Sequence, residues 1–247
     1  MIQRFYRNSK KSDKKLLLRY SKTPFKELRR VRQNARVAKK IFGIKFSKES
    51  LQEYYFWDNT TVSLKSPLIE FVLDGMKILE IGTGPSATLS RFIAKSKKNL
   101  CITAADINEN FLKSGAKYKI EGKGNLISFV VSDISKNIDG KFDLIFMNPP
   151  YVSHKDLMTI GIDRNSSEYS AGFGGQDGGA IVEKFLSQIP RLMINSSVAL
   201  LGVNNKYLSD ENVTSLISSS NLTLSRRFYN KHEVPPFSQV YVLKMKC

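Results

Sequence analysis

Downstream of residue 75, the chain alternates short apolar runs with amphipathic segments. Apolar runs of this length are typical of strands buried on both faces of a sheet, and spacings of three and four are typical of helices. The alternation therefore predicts an α/β fold with a mostly parallel sheet and helices on both faces. The predicted strands are 76–81, 100–105, 126–131, 144–147, 197–203, 222–229 and 239–245, and the predicted helices between them are 86–94, 108–119, 181–186 and 210–219.

The first 55 residues follow a different pattern. Thr23 and Pro24 are typical of a helix start, and Gly43 is typical of a helix end. Apolar residues recur between them every three or four positions, which predicts a stripe that packs on a neighbouring domain. We also predict short helices from Ser47 to residue 57 and over residues 66–73. The change of pattern predicts a basic helical extension for substrate recognition at residues 1–55 and a main domain at residues 56–247.

Positive charge is concentrated in this extension. Residues 1–50 carry 17 lysines and arginines and three acidic residues, a net charge of +14, whereas the other 197 residues carry +3. This distribution is typical of an element that binds RNA, DNA or a ribonucleoprotein, although a solvated extension that aids solubility would look the same. Arginine suits phosphate because its guanidinium group can bond in a bidentate manner. The candidate nucleic-acid contacts are Arg29, Arg30, Arg32, Arg36, Lys39 and Lys40.

Several classes of protein are disfavoured by the composition. Hydrophobic content is 41%, and no apolar run approaches the ~20 residues that a membrane span needs. The cysteines Cys101 and Cys247 do not form a disulfide framework, and His154 and His232 are isolated from other metal ligands. We expect a cytoplasmic protein, a monomer, with no membrane partner and no metal.

Residues 142–151 end an apolar strand abruptly in Asn148-Pro149-Pro150-Tyr151. Two prolines cannot continue a central strand, and they hold the preceding residue extended. The asparagine amide oxygen and the Pro149 carbonyl could accept both hydrogens of a substrate NH2 group, and Tyr151 could stack on a flat substrate. A turn that merely terminates the strand is the alternative. The motif alone does not decide between them.

The preceding strand ends supply further polar groups. The strand at 76–81 leads into a glycine turn, in which Gly82 and Gly84 permit a tight turn and close approach of a ligand. Asp106 follows the second strand at a spacing suited to ribose hydroxyls, and Asp133 follows the third. Each acid could instead be a helix cap. Because carboxyl ends of parallel strands share one edge, we expect these groups to lie together.

Four features in order, Glu80-Ile81-Gly82-Thr83-Gly84, Asp106, Asp133 and Asn148-Pro149-Pro150-Tyr151, together resemble a class I S-adenosylmethionine-dependent methyltransferase over roughly residues 70–247. The main domain would then be Rossmann-like, with seven strands and an antiparallel last strand. The resemblance implies S-adenosyl-L-methionine as the cofactor, with Asp106 on its ribose and Asp133 and Ile134 at its adenine. Pro85-Ser86 departs from relatives that have another glycine there. The implied cofactor-binding residues are Glu80, Gly82, Thr83, Gly84, Asp106, Ile107, Asp133, Ile134 and Asn148; the implied catalytic residues are Asn148, Pro149 and Tyr151, and the implied substrate-binding residues are Pro150 and Tyr151.

A glycine-rich stretch after the motif narrows the resemblance. Gly174-Gly175-Gln176-Asp177-Gly178 precedes an amphipathic helix and resembles the HemK-like protein glutamine N5-methyltransferases. A flexible glycine loop before a helix is the alternative. Residues 152–176 would then form a lid over the substrate nitrogen.

Three functions remain open at this point. The first is methylation of a glutamine side-chain amide in a translation release factor or a ribosome-associated protein. Against it, residues 1–60 show no match to the substrate-recognition domain of that family. The second is methylation of an adenine amine in rRNA, tRNA or DNA, with the basic extension holding the nucleic acid. The third is a non-enzymatic ribosome assembly protein, against which the intact set of cofactor residues argues.

Overall fold

The computed structural model describes residues 34–46, 57–120, 122–229, 233 and 235–246. The predicted helix start at Thr23, the candidate contacts Arg29, Arg30 and Arg32, and the predicted helix from Ser47 lie outside the described residues. The helices are α1 (Ala35–Phe42), α2 (Asn59–Phe71), α3 (Thr88–Ser96), α4 (Glu109–Gly115), α5 (His154–Thr159), α6 (Ser167–Gly172), α7 (Ala180–Gln188) and α8 (Asp210–Ser218), with a 3-10 turn at Ile189–Leu192. The strands are β1 (Lys77–Ile81), β2 (Cys101–Asp106), β3 (Leu126–Val131), β4 (Phe142–Met147), β5 (Met193–Asn204), β6 (Leu222–Tyr229) and β7 (Ser238–Met245).

The seven strands form one sheet in the order β3-β2-β1-β4-β5-β7-β6. Strands β1 to β5 pair in parallel, and β7 pairs antiparallel with both β5 and β6. The order reverses between β1 and β4, and in open α/β sheets ligands bind outside the carboxyl ends of the strands at such a point. The predicted mostly parallel seven-stranded sheet with an antiparallel last strand is confirmed.

Successive residues of the central strands face opposite sides of this sheet. In β4, Leu144 and Phe146 belong to the core on one face, and Ile145 and Met147 belong to the core on the other. Residues of α1, α2 and α3 belong to the first core, and residues of α7 and α8 belong to the second. Because both faces are covered, the strands are apolar throughout, which is why the sequence showed them as continuous runs.

Helix α2 begins earlier than the sequence pattern predicted. The expected start at residue 66 is wrong, because the helix begins at Asn59 and contains Pro67. Asp58 caps it: the side chain accepts from the Thr61 N–H, and the Thr61 hydroxyl accepts from the Asp58 N–H. The proline suggested a helix start, but the capping box formed by Asp58 and Thr61 sets the true one.

Smaller differences concern other element ends. Helix α3 begins at Thr88 rather than at residue 86, because Ala87 has a left-handed backbone with φ of 45°. Helix α4 ends at Gly115, four residues before the predicted end. Strand β5 begins at Met193, with a shift of register against β4 before the predicted start at residue 197.

Helix α1 packs on the main domain. Asn34 caps it, and Gly43 ends it with φ of 71°. Ala38, Ile41 and Phe42 are buried in the core that α2 and α3 share, whereas Arg36, Lys39 and Lys40 are exposed. The described part of the extension therefore buries its apolar stripe and turns its cations outward, as predicted.

No helix among the described residues is long and apolar enough to cross a membrane. The same residues contain no cluster of three or more histidine, cysteine, aspartate or glutamate side chains that could hold a metal ion.

Candidate active site

The predicted site groups lie along one edge of the sheet. Gly82 follows β1, Asp106 ends β2, Asp133 follows β3 and Asn148 follows β4. These strands are parallel neighbours, so their carboxyl ends meet. A Cβ added to Gly82 would lie 3.7 Å from the methyl carbon of Met147. Met147 is the residue directly before Asn148. The corner at residues 148–151 therefore borders the glycine turn.

The glycine turn leaves open space beside its backbone. Gly82 and Gly84 have φ of 70° and 66°, values that favour glycine. The Thr83 N–H donates to the Ala105 carbonyl at 3.0 Å, which ties the turn to β2. A Cβ added to Gly84 would meet no atom within 4 Å. The turn is thus shaped so that a ligand could lie directly on its backbone, which fits the implied cofactor.

Glu80 holds this turn from inside the protein. The side chain is 4% exposed, and its Oε2 accepts from the Thr83 hydroxyl at 2.9 Å and from the Ser90 N–H at 3.1 Å. The Ser90 hydroxyl donates to the same oxygen. Burial raises the pKa of Glu80 to about 7, although these hydrogen bonds from Thr83 and Ser90 oppose the rise. The described contacts give Glu80 and Thr83 a part in shaping the turn; their contact with a cofactor stays a prediction.

Asp106 links the second strand to the same turn. Its Oδ2 accepts from the Gly84 N–H at 2.9 Å, and its Oδ1 accepts from the Asn108 N–H at 2.9 Å. Burial raises the pKa of Asp106, and the backbone hydrogen bonds partly offset this. Ile107, the next residue, is 70% exposed. An exposed apolar side chain beside a carboxylate suits a ligand with a flat ring and a sugar.

Asp133 and Ile134 complete the edge after β3. The Asp133 carboxylate forms an ion pair with the Lys184 ammonium group of α7, and both side chains are partly exposed. Ile134 is buried and has φ of 56°, a rare value for a β-branched residue. Strained backbone of this kind is found at functional sites. The assignment of both residues to the adenine stays a prediction.

Asn148 is fixed by the start of α2. Its Nδ2 donates to Asp58 Oδ1 and to Thr61 Oγ1, each at 3.1 Å. The NH2 group of Asn148 therefore donates into the protein, toward this pair of oxygens. The Oδ1 of Asn148 is buried and accepts no hydrogen bond from the described residues. A buried acceptor without a donor is costly, and a substrate N–H could supply that donor.

Tyr151 is held by the same helix end. The residue is 6% exposed, and its hydroxyl donates to Asp58 Oδ2 at 2.9 Å. The Thr60 hydroxyl lies 2.8 Å from the Tyr151 hydroxyl oxygen. Since the phenol hydrogen goes to the carboxylate, the Thr60 hydroxyl donates to the phenol oxygen.

The glycine loop at residues 174–178 packs on the backbone of the corner. A Cβ added to Gly174 would lie 2.7 Å from Tyr151 Cα and 2.8 Å from the Pro150 carbonyl oxygen. A Cβ on Gly178 would lie 2.5 Å from the Tyr151 carbonyl oxygen. The segment between the corner and the glycine loop contains α5 and α6, and a bridge between Val152 and Phe173 joins its two ends. These glycines therefore let the chain return onto the corner.

Residues at the start of α2 were missed by the sequence reasoning. Asp58, Thr60 and Thr61 contact the corner, but none of them is among the residues that the sequence predicts for the site. The signal was available: an aspartate with a threonine three positions later, followed by apolar residues at helical spacing, is typical of a capped helix start. What it did not indicate is that this cap faces residues 148 and 151.

Comparison with known proteins gives the class. Residues 58–164 match the family model described as "Methyltransferase small domain", a segment that begins at Asp58 and contains the glycine turn, Asp106, Asp133 and Asn148. A methyltransferase from Pyrococcus furiosus has the same fold, with a TM-score of 0.57 and 19% identity over 90% of this chain and 98% of that chain. Residues 58–164 are therefore similar in sequence to methyltransferase domains, and the chain has the Rossmann-like fold of such an enzyme.

The relatives in sequence include glutamine methyltransferases. The chain is 30% identical over 147 residues to the release factor glutamine methyltransferase of Lactococcus lactis, which covers 56% of this chain and 53% of the relative. It is 28% identical over 142 residues to the ribosomal protein uL3 glutamine methyltransferase of Francisella tularensis, which covers 57% of this chain and 45% of that relative. The chain thus spans about half the length of the curated relatives it matches.

Proposed function

We propose that this protein transfers a methyl group from S-adenosyl-L-methionine to the side-chain amide nitrogen of a glutamine, in a release factor or a ribosome-associated protein. The similarity to two kinds of glutamine methyltransferase supports this class of substrate. The proposal also needs a site that can orient a neutral planar amide, and the buried Asn148 oxygen, which has no partner among the described residues, supports such a site at the corner.

One observation carries the proposal: the buried, unpartnered Oδ1 of Asn148 beside the glycine turn. This oxygen is an acceptor, and its own NH2 group is occupied by Asp58 and Thr61. A substrate carboxamide presents an N–H that would satisfy it. Bound in this way, the substrate nitrogen lies near the carboxyl ends of β1 and β4, where the glycine turn leaves open space for the methyl donor.

The chain's own residues would act mainly by positioning. Bound S-adenosylmethionine supplies an activated methyl group, so no residue needs to serve as a nucleophile. Gly82, Gly84 and Asp106 would hold the donor, and Asn148 and the Pro149 carbonyl would draw on the substrate hydrogens and make its nitrogen lone pair more available. Orientation of two reactants can contribute up to ~7–11 kcal/mol to a barrier. Tyr151 would bound the plane of the amide.

The cations of the extension support a partner that carries RNA. Arg36, Lys39 and Lys40 are exposed on α1, on the side away from the shared core. Such a surface would hold a phosphate backbone without reading sequence. It suits a ribosome-associated substrate, and it is the observation that favours the second candidate, methylation of an adenine amine in RNA or DNA.

A labelling experiment tests the proposal and separates these candidates. Purified protein and methyl-labelled S-adenosylmethionine are added to a lysate of cells that lack the protein, and the product is treated separately with protease and with nuclease. We expect label that protease releases and nuclease does not, in a protein with methylated glutamine. Label that only nuclease releases would replace the glutamine assignment with the adenine one.

Asn148→Ala is the matching catalytic control. The variant should lose most turnover, by about 10²-fold, because the substrate amide is no longer oriented. Its affinity for S-adenosylmethionine should change far less, because Gly82, Gly84 and Asp106 remain. Calorimetric titration of the cofactor and initial rates of labelling measure the two quantities. Wild-type turnover in this variant would remove Asn148 from the reaction.

A further inference from the structure

Two substrate-facing residues of the corner depend on one carboxylate. Asp58 Oδ1 accepts from Asn148 Nδ2 at 3.1 Å, and Asp58 Oδ2 accepts from the Tyr151 hydroxyl at 2.9 Å. Asp58 precedes Asn148 by 90 residues, and it is the N-cap of α2. Nothing in the methyl transfer requires Asp58 to touch the substrate.

The direction of each hydrogen in this network follows from the groups present. An ionised carboxylate only accepts, so the Thr61 hydroxyl, 2.7 Å from Asp58 Oδ1, donates to it. The Thr61 oxygen is then an acceptor, and it faces Asn148 Nδ2 at 3.1 Å. Both neighbours of the Asn148 amide on this side are acceptors. The amide must therefore turn its NH2 toward Asp58 and Thr61 and its oxygen away from them.

Without Asp58 this orientation would be lost. The Thr61 hydroxyl would be free to rotate and could donate to the Asn148 oxygen, which would favour the opposite orientation of the amide. That orientation presents an NH2 group, a donor, to the NH2 group of a substrate. Asn148 would then repel the substrate hydrogen instead of accepting it.

We propose that Asp58 is a positioning residue, which fixes the Asn148 amide with its oxygen toward the substrate and anchors the Tyr151 hydroxyl at the same time. The proposal rests on the proposed methyl transfer to a planar nitrogen at Asn148. Asp58 acts through Asn148 and Tyr151 rather than on the reacting atoms.

The test must separate this role from the cap of α2, which Asp58 also forms. Asp58→Ser keeps a good N-cap, because a serine hydroxyl can accept from the Thr61 N–H, but it lacks the second oxygen and the charge. Asp58→Asn keeps a cap and an acceptor at the position of Oδ1. Asp143→Ala is the control for stability: Asp143 Oδ2 accepts from the Lys77 N–H at 2.8 Å at the opposite end of β4.

We expect Asp58→Ser to lower kcat by about 10²-fold at an unchanged affinity for S-adenosylmethionine, because the acceptor is misoriented but the glycine turn is intact. Asp58→Asn should retain at least about tenfold more turnover than Asp58→Ser, since it can still accept from Asn148. Asp143→Ala should lose stability without losing turnover. Equal turnover of Asp58→Ser and Asp58→Asn, whether high or low, would overturn the proposal.

The turnover of every variant is measured on the substrate that the wild-type protein methylates, whether that substrate is a protein or an RNA. The comparison of the variants therefore stays valid if the glutamine assignment fails. A second readout needs no substrate. In protein labelled with ¹⁵N-asparagine, the Asn148 NH2 signals, assigned by their absence from Asn148→Ala, should exchange with solvent at least about tenfold faster in Asp58→Ser than in wild type, because one acceptor is gone. Unchanged exchange would overturn the proposal even if no acceptor is found.

Discussion

At the scale of single residues, the main feature of the site is the burial of carboxyl groups beside a turn that must admit a ligand. Glu80 is buried in the first strand, and Asp106 is buried at the end of the second. Burial raises the pKa of both groups because it disfavours the charged form. The hydrogen bonds that these carboxyl groups accept from Thr83, Ser90 and backbone N–H groups set the shape of the turn. In the same positions the two groups are removed from the water that would otherwise stabilise their charged forms.

This burial predicts a dependence of stability on pH. The folded-state pKa of Glu80, about 7, lies above the value of 4.5 for an unperturbed group, so the native protein binds more protons between these values. The free energy of unfolding should therefore fall as pH rises through this window, with Glu80 contributing on the order of 3 kcal/mol. In Glu80→Gln this fall should be smaller, since only Asp106 would still act in the same direction. Urea unfolding at pH 5 and pH 8 measures the effect, and identical pH profiles for the two proteins would contradict it.

At the scale of elements, the corner after β4 is held between two segments that are distant in sequence. The N-terminus of α2 binds its side chains, and the glycine loop before α7 contacts its backbone. Gly174 approaches only backbone atoms, so a side chain there cannot be accommodated by the rotation of a neighbouring group. The loop thus supports the backbone of the corner, whereas the start of α2 holds its side chains.

Gly174→Ala tests this support. The added methyl group would lie 2.5 Å from the Gly178 carbonyl oxygen and 2.7 Å from Tyr151 Cα, so the loop and the corner must separate. We expect a loss of stability of about 1–3 kcal/mol and a loss of turnover approaching ~10²-fold.

Gly179→Ala is the matched control, because its added Cβ would meet its nearest atoms at 3.5 Å, an ordinary contact, and its φ is −91°. Thermal unfolding and labelling rates compare the two variants. If both lose activity equally, close packing at Gly174 is not the cause.

At the scale of the whole molecule, the described part of the basic extension is continuous with the main domain. Phe42 of α1 lies in an aromatic cluster, with ring centroids 6.1 Å from Trp57 and 6.5 Å from Phe92. The Arg91 guanidinium group joins the extension to the glycine turn, because it donates to the Lys45 carbonyl at 2.6 Å and to the Ser86 carbonyl at 3.3 Å. The outward charge of α1 is therefore carried on a firmly packed helix.

Phe42→Ala should lower the free energy of unfolding of the whole protein by about 3–5 kcal/mol, in a single transition, because a buried aromatic side chain leaves a cavity in the shared core. Lys39→Ala, on the exposed side of the same helix, should change it by less than about 0.5 kcal/mol. Denaturant titration followed by circular dichroism measures both. A separate early transition for α1 would show instead that the helix is not part of this core.

The sequence by itself determined where the strands lie along the chain and which residues follow each of them. Strand propensity, the glycine turn at residues 82–84 and the prolines after Asn148 act within a few residues of chain, so the pattern could indicate them. Because parallel strands end at one edge, these local signals also predicted that Gly82, Asp106 and Asn148 would lie together.

Only the tertiary structure decided what these residues contact. The sequence could not indicate that Glu80 turns into the protein, that Asp133 pairs with Lys184, or that the cap of α2 receives Asn148 and Tyr151. Each of these contacts joins groups whose approach depends on how the helices pack on the sheet, and packing is a property of the whole chain. The orientation of the Asn148 amide, on which the proposed chemistry rests, is set by a carboxylate 90 residues away.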